Sequence, residues 1–253
     1  MNKLYTQVKD CLIQLKPVSL DEMNSVALMK RLDSKFILSL DRLPELIDRI
    51  NENYSVLTIE DETIFKYRTT YYDTEDLETY RDHLRGKSLR HKVRIREYIN
   101  TAISFFEIKK KDNSGVTNKV RIKTIKIEKD LVFLQLNFFD THLENAQGEN
   151  YKKVLSNTFN RITLANPLDQ ERVTIDFNLG FDNDIKKKAF KNLCIVEIKQ
   201  PRINRFTPIF IELKKMGIRP LRISKYCLGV TTLNDVRSNL FKPKMRQILK
   251  TIN

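Results

Sequence analysis

Read with a period of two, one segment of this chain after another puts charged, mostly basic residues on one face and largely apolar residues on the other. Lys92, Arg94 and Arg96 alternate with Val93 and Ile95, and Glu107 and Lys109 with Phe106 and Ile108. Lys119, Arg121 and Lys123 alternate with Val120 and Ile122, and Arg172, Thr174 and Asp176 with Val173, Ile175 and Phe177. Glu197 and Lys199 lie opposite Val196 and Ile198, and Arg31, Asp33 and Lys35 opposite Leu32, Ser34 and Phe36. Successive side chains of a strand point to opposite faces, so this period predicts half-buried strands. An antiparallel sheet with one wet face satisfies the pattern. Three features point further. The charged faces are rich in Arg, which suits planar recognition of phosphate oxygens. Like charges on neighbouring strands repel unless something screens them. The chain also carries amphipathic helices that need an apolar sheet face to cover. If helices take the apolar faces and the sheet closes, the charged faces turn inward around a cavity that requires an anion and water. The expected fold is α+β: an antiparallel closed β-barrel, in effect a tunnel, with helices packed on the outside.

The helical segments fit that plan. Leu43, Leu46, Ile47 and Ile50 share one face of a helix from about Leu43 to Asn53, with Pro44 in its first turn. A polar helix runs from about Glu75 to Leu84, with Thr74 as N-cap. Lys129 to Asn137 reads as helix, and Asp112 to Gly115 as a hairpin turn. Thr207 and Pro208 open a helix carrying Ile209, Phe210, Leu213 and Met216, which Gly217 ends. Leu221 to Tyr226 reads as extended and is followed by a basic C-terminal helix with Lys242, Lys244, Arg246 and Lys250. The 253 residues show no linker, so residues 1–253 are expected to form one domain with its core over about 20–235 and the basic helix over 236–253.

A formal charge of +14 fits a polyanionic partner, without choosing it, and equally fits Lys and Arg that only solubilise the surface. No helix-turn-helix, zinc or RNP motif favours specific nucleic acid, and the phosphate loop G-x-x-x-x-G-K-[ST] is absent. His83, His91 and His142 are scattered, which argues against imidazole–metal chemistry. Cys11, Cys194 and Cys227 show no pairing pattern, and no apolar run is long enough to span a bilayer, so a cytoplasmic location is expected. Any coupling to a membrane would then need a membrane-protein partner.

Several short motifs recur in a fixed order. They are Arg31-Leu32-Asp33-Ser34-Lys35-Phe36, Tyr71-Tyr72-Asp73-Thr74, Arg94-Ile95-Arg96, Phe106-Glu107-Ile108-Lys109, Arg172-Val173-Thr174-Ile175-Asp176, Val196-Glu197-Ile198-Lys199 and Ser224-Lys225-Tyr226. The set resembles the VTC domain, a polyphosphate polymerase of the triphosphate tunnel (CYTH-like) superfamily, over about residues 20 to 235. The resemblance implies a tunnel that binds ATP or another nucleoside triphosphate and passes its γ-phosphate onto a growing polyphosphate. It implies that Lys35, Arg94, Arg96, Lys109, Arg161, Arg172, Lys199 and Lys225 cradle phosphates. Arg31 and Arg121 join them as phosphate-binding residues. Glu197, helped by Glu107, would hold Mn²⁺ or Mg²⁺. Hydrolytic triphosphatases of the superfamily open with E-x-E-x-K. Here Arg31, Asp33 and Lys35 take those places, which weakens metal capture and speaks against simple hydrolysis. Phosphoryl transfer through a loose transition state needs positioning and charge stabilisation more than a protein nucleophile. The same features also suit a module that binds phosphate polymers without turnover, and Asp176 reads as a partner for Arg172.

Overall fold

The computed structural model describes residues 3–24, 31–113, 117–125, 130–143 and 146–252. The expected turn residues Ser114 and Gly115, the strand end at Ile127 and the helix start at Lys129 lie outside them. Along the chain come α1 (Lys3–Ile13), β1 (Lys16–Val18), α2 (Leu20–Asn24), β2 (Leu32–Ser39), α3 (Leu43–Ile50), β3 (Ser55–Leu57), β4 (Phe65–Asp73), α4 (Glu78–Arg85), β5 (Arg90–Tyr98) and β6 (Ile103–Lys111). They are followed by β7 (Thr117–Thr124), α5 (Phe133–His142), β8 (Lys152–Asn166), β9 (Glu171–Asp182), β10 (Lys187–Phe190), β11 (Leu193–Gln200), α6 (Pro208–Lys215), α7 (Lys225–Leu233) and α8 (Lys242–Ile252).

The main sheet runs in the order β2-β11-β9-β8-β4-β5-β6-β7, with antiparallel neighbours throughout. β10 extends β9, and β3 joins β8 while pairing in parallel with β1. The expected closed barrel is corrected here: β2 and β7 stand at the two ends of the order, and among the described residues no backbone ladder joins them. The sheet nonetheless curls until its ends approach, because Lys109 of β6 reaches Asp33 of β2 at 4.0 Å. The outer edge of β2 is already engaged, since Phe36 bridges to Pro220 and the Leu221 amide donates to the Lys35 carbonyl at 2.7 Å, and β7 is ill suited to pair with it. The inward face of β7 carries Lys119, Arg121 and Lys123, and basic side chains on an edge strand resist further pairing.

The apolar face of each strand is covered as the sequence pattern requires. Phe36, Leu38, Ile162, Leu164, Val173, Ile175, Cys194, Val196 and Ile198 pack under α1, α3 and α6, with Leu46, Ile47 and Ile50 fully buried. Val93, Ile95, Phe106 and Ile108 pack with Phe139 of α5. Pro208 opens α6 as expected, and Gly217 lies beyond its end at φ +72°, a conformation glycine adopts without strain.

One helix departs from the sequence reading. Lys225 and Tyr226, expected to close an extended stretch, instead open α7, which closes over the inner face against Leu155, Leu179 and Phe181. A glycine in mid-helix costs about 1 kcal/mol relative to alanine. Gly229 repays that cost by allowing contact: a Cβ there would sit 2.7 Å from Phe181 and 2.9 Å from Leu155. Ser224 caps the helix, its Oγ accepting from the Cys227 amide. No described helix is long and apolar enough to cross a membrane.

Candidate phosphate-binding channel

Cross-strand register gathers the basic residues into rows on the concave face. Lys35 stands opposite Glu197, which stands opposite Thr174. Lys199 stands opposite both Asp33 and Arg172. Arg161 faces Asp176. Arg94, Glu107 and Arg121 form one row across β5, β6 and β7, and Lys92, Lys109 and Lys119 form the next. Directly opposed like charges destabilise a sheet, so these rows are tolerable only with counter-charge.

Four carboxylates supply part of it. Asp176, 1% exposed, takes Arg161 in a two-point clasp at 2.6 and 2.7 Å and also accepts from the Lys225 ammonium. Glu107, also 1% exposed, holds Arg94 at 2.7 Å through one oxygen and Lys119 at 3.2 Å through the other. Glu197 meets Lys35 at 3.3 Å and Lys199 at 3.1 Å. Asp33 lies 3.4 Å from Arg31 and 4.0 Å from Lys109. Beneath the Asp176 cluster, Tyr67 and Phe159 stack at 5.3 Å. Arg161 lies over both rings and Lys225 over Phe159, so each cation gains a π face as well as a carboxylate.

The cations still outnumber their partners. Among the described residues, Lys92, Arg96 and Arg172 form no ion pair with a carboxylate, and Arg96 Nε is buried without a hydrogen-bond acceptor. Burial and neighbouring cations act on titration accordingly. Desolvation lowers Lys92 to about 7, Lys109 to about 8 and Lys225 to about 8. Burial also pulls Arg96 and Arg172 down. Burial works against charge on Glu197 as well, yet Lys199, Lys35, Arg161 and Lys109 together hold its carboxyl well below the usual range. Its two lysines move in opposite directions. Lys35 rises because Glu197 outweighs its desolvation, while the deeper Lys199, at 10% side-chain exposure, falls because burial wins.

The Tyr71-Tyr72-Asp73-Thr74 motif has a different role from the channel cations. Asp73, fully buried, accepts from the amides of Thr74, Thr79 and Tyr80 and the hydroxyls of Thr79 and Tyr226. It therefore satisfies the start of α4 and ties it to α7, the helix that delivers Lys225. Thr74 Oγ1 accepts from the Glu78 amide at 3.0 Å, although the helix proper begins later than the sequence suggests.

The rows and ion pairs bring together Lys35, Arg94, Lys109, Arg161, Arg172, Lys199, Lys225, Glu107 and Glu197, and Arg96, opposite Phe105, lies in the field of Arg94, Glu107 and Arg161. Arg121 lies in the Arg94 row with its guanidinium over Phe105 at 4.3 Å, and Arg31 sits more exposed beside Asp33. The expected pairing of Asp176 with Arg172 is corrected, because Arg161 and Lys225 occupy its oxygens. Sequence reasoning missed Lys92 as a site residue, although its period-two position beside Arg94 was the available signal. It also missed the Asp73–Tyr226 link, which no local spacing announces. Among the described residues no cluster of three or more His, Cys, Asp or Glu could hold a metal by itself.

A curled antiparallel sheet thus carries helices over its outer face and a cation-rich concave face, an arrangement suited to a phosphate-rich anion. Comparison with known proteins bears on the fold and the family. A Hippeastrum protein assigned as an adenylyl cyclase, with a dominant triphosphatase activity, is 12% identical at a TM-score of 0.50, covering 81% of this chain and 97% of that one. A Bacillus halodurans protein assigned as an adenylate cyclase is 15% identical at a TM-score of 0.49, covering 77% and 94%. At such identity the likeness concerns the fold alone. No curated protein sequence matches. The family model of the VTC domain matches residues 30–234, and the chain belongs to that family.

Proposed function

We propose that this protein is a polyphosphate polymerase that transfers the γ-phosphate of ATP, or another nucleoside triphosphate, onto a polyphosphate chain held in the channel. The observation that carries the reading is the surplus of buried cations over carboxylates, with Lys92, Arg96 and Arg172 lacking an acidic partner among the described residues. A polyanion supplies the missing charge. In the transfer, a terminal oxygen of the acceptor chain forms a bond to the γ-phosphorus while the bond from that phosphorus to the β–γ bridging oxygen breaks, leaving a nucleoside diphosphate. Arg94, Arg161, Lys35 and Lys225 neutralise charge on the transferring group, and Lys109, Lys199, Arg96 and Arg172 align the chains around it. The acceptor is itself the nucleophile, so no activated side chain is needed.

Glu197 is the residue suited to hold Mn²⁺ or Mg²⁺. Its carboxylate is ionised and only mostly buried, and hard cations accept one protein carboxylate when phosphate oxygens and water complete the shell. Bound there, the ion would add Lewis-acid charge stabilisation. Glu107, with both oxygens already engaged, acts as the counter-charge for Arg94 and Lys119. The test is incubation of the purified protein with ATP and Mn²⁺. Acid-labile phosphate polymer is expected, whereas release of orthophosphate alone would replace the reading with hydrolysis.

One observation favours a second reading, capture of phosphate polymer without turnover: Glu197 is already tied to two lysines. Wild-type protein that binds polyphosphate and never elongates it would establish that alternative.

A further inference from the structure

Arg172 and Lys199 stand opposite each other as the last pair of the β9–β11 ladder. Lys199 Nζ turns to Glu197 at 3.1 Å and Thr174 Oγ1 at 2.9 Å. Burial first and then Arg161 pull Arg172 down; burial pulls Lys199 down against Glu197, and Arg161 adds to it. One like charge therefore bears on both members of the terminal pair. The next residue on each strand, Glu171 and Gln200, falls on the opposite, outer face. There Glu171 is fully buried, and among the described residues it forms no ion pair. Its carboxylate instead accepts from three neutral groups: the Tyr54 hydroxyl, the Gln200 side-chain amide and, at 3.0 Å, the Thr207 hydroxyl.

Those partners come from the residue before β3, the end of β11 and the residue that opens α6. Gln200 carries the hold onward, donating to the Asn204 carbonyl and accepting from the Asn204 amide, both at 3.0 Å. The Tyr54 hydroxyl accepts from the Ile209 amide at 3.4 Å. Thr207 makes no side-chain capping bond to α6, its hydroxyl serving Glu171. Burial raises the Glu171 carboxyl against the three hydrogen bonds that favour its charge. A buried carboxylate without a cation is costly, so filling space does not account for it.

We infer that Glu171 is a positioning residue for the channel: from the outer face it clamps the ends of β9 and β11 and so holds Arg172 and Lys199 in place for the phosphate chain. The inference rests on the polyphosphate reading and extends it to a residue that touches no ligand. Opposed like charges destabilise a strand pair, and beyond the last rung nothing in the ladder restrains them. A three-point hydrogen bond one residue on supplies that restraint. With the clamp lost, the ligand itself must draw the strand ends together, which weakens binding and leaves the chemistry at the γ-phosphorus unchanged.

The test measures tripolyphosphate affinity by calorimetry in wild type, Glu171→Gln, the double variant Arg172→Met with Lys199→Met, and the triple variant. The glutamine keeps the shape but turns an acceptor into a donor. Glu171→Gln should weaken binding about tenfold, and with ATP should raise KM by a similar factor while kcat holds within about twofold. In the double-variant background the same substitution should change affinity less than about twofold, because the residues it positions are gone. Equal weakening in both backgrounds, the mark of a role in stability alone, or unchanged affinity in Glu171→Gln would overturn the inference. A melting-temperature cycle on the same four proteins reads the clamp without ligand. Glu171→Gln should lower the melting point more when Arg172 and Lys199 are present, and additive losses would refute the clamp. Thr207→Val removes one bond of the three and should show the same pattern at smaller amplitude, which serves if Glu171→Gln folds poorly. Wild-type protein that does not bind tripolyphosphate would overturn the polyphosphate reading, and the melting cycle would still decide the clamp.

Discussion

Asp176→Asn is the most severe test of the channel's charge balance. The wild-type carboxylate is 1% exposed, clasps Arg161 through both oxygens and accepts from Lys225. The amide keeps the shape but leaves two buried cations without a counter-charge. Breaking a buried ion pair from one side costs about 3–5 kcal/mol. For a domain of this size each kcal/mol shifts the melting point by about 2–4 °C, so the unliganded variant should melt about 6–20 °C lower. Thermal unfolding followed by circular dichroism, with and without tripolyphosphate, reads the effect. Tripolyphosphate should recover more stability in the variant than in wild type, because the freed Arg161 and Lys225 then bind phosphate oxygens. The dependence on pH has a fixed sign. Burial opposes charge on Asp176, but Arg161 and Lys225 overcome it and hold the carboxyl well below its ordinary value. Its contribution is therefore present above the unfolded value, about 3.9, and is lost as pH falls through the lower folded value. The gap between the proteins should be full at pH 7 and close in strong acid. A variant that melts within about 2 °C of wild type at pH 7, less than 1 kcal/mol, would refute the view that this carboxylate neutralises the channel.

Glu197→Gln should reduce elongation with ATP and Mn²⁺ by about 100-fold or more while tripolyphosphate still binds, measured by polymer yield and calorimetry; retained elongation would remove Glu197 from the chemistry. Binding of tripolyphosphate between pH 7 and 9 should take up protons, because Lys109 and Lys225, lowered by burial to about 8, regain charge beside phosphate. The observed binding enthalpy should therefore vary with buffer ionisation heat, and no such variation would contradict the assignment. Tyr226→Phe removes a hydrogen bond to the buried Asp73 and should destabilise the protein by about 1.5–3 kcal/mol in denaturant unfolding. Lys92→Met should raise the melting point more at pH 6 than at pH 9. A lysine whose folded pKa is lowered to about 7 penalises the fold below that pH and ceases to as pH rises toward its unfolded value.

The strands were legible because they obey a period of two, and that period alone assigned Lys35, Arg94, Lys109, Arg172 and Lys199 to one face. Partner identity was not legible. The register that puts Arg161, not Arg172, against Asp176 depends on how β8 aligns with β9, and β8 carries a register shift between Thr158 and Asn160. The helix α7 was hidden because Lys-Tyr-Cys-Leu-Gly-Val-Thr-Thr-Leu is poor in strong helix formers. It forms because packing against Leu155 and Phe181 outweighs propensity. Closure was overestimated because alternation determines which way side chains point, not whether the last strand meets the first.

That unjoined edge bears on what holds the channel together. A cylinder sealed by backbone hydrogen bonds admits a thread only end-on, and its bore is set by strand number and tilt. Among the described residues the two lips, β2 and β7, are not laced together, and attraction between Lys109 and Asp33 stands near the gap. No backbone rung spans the seam among those residues, so what draws its lips together is ionic and weakens as ionic strength rises.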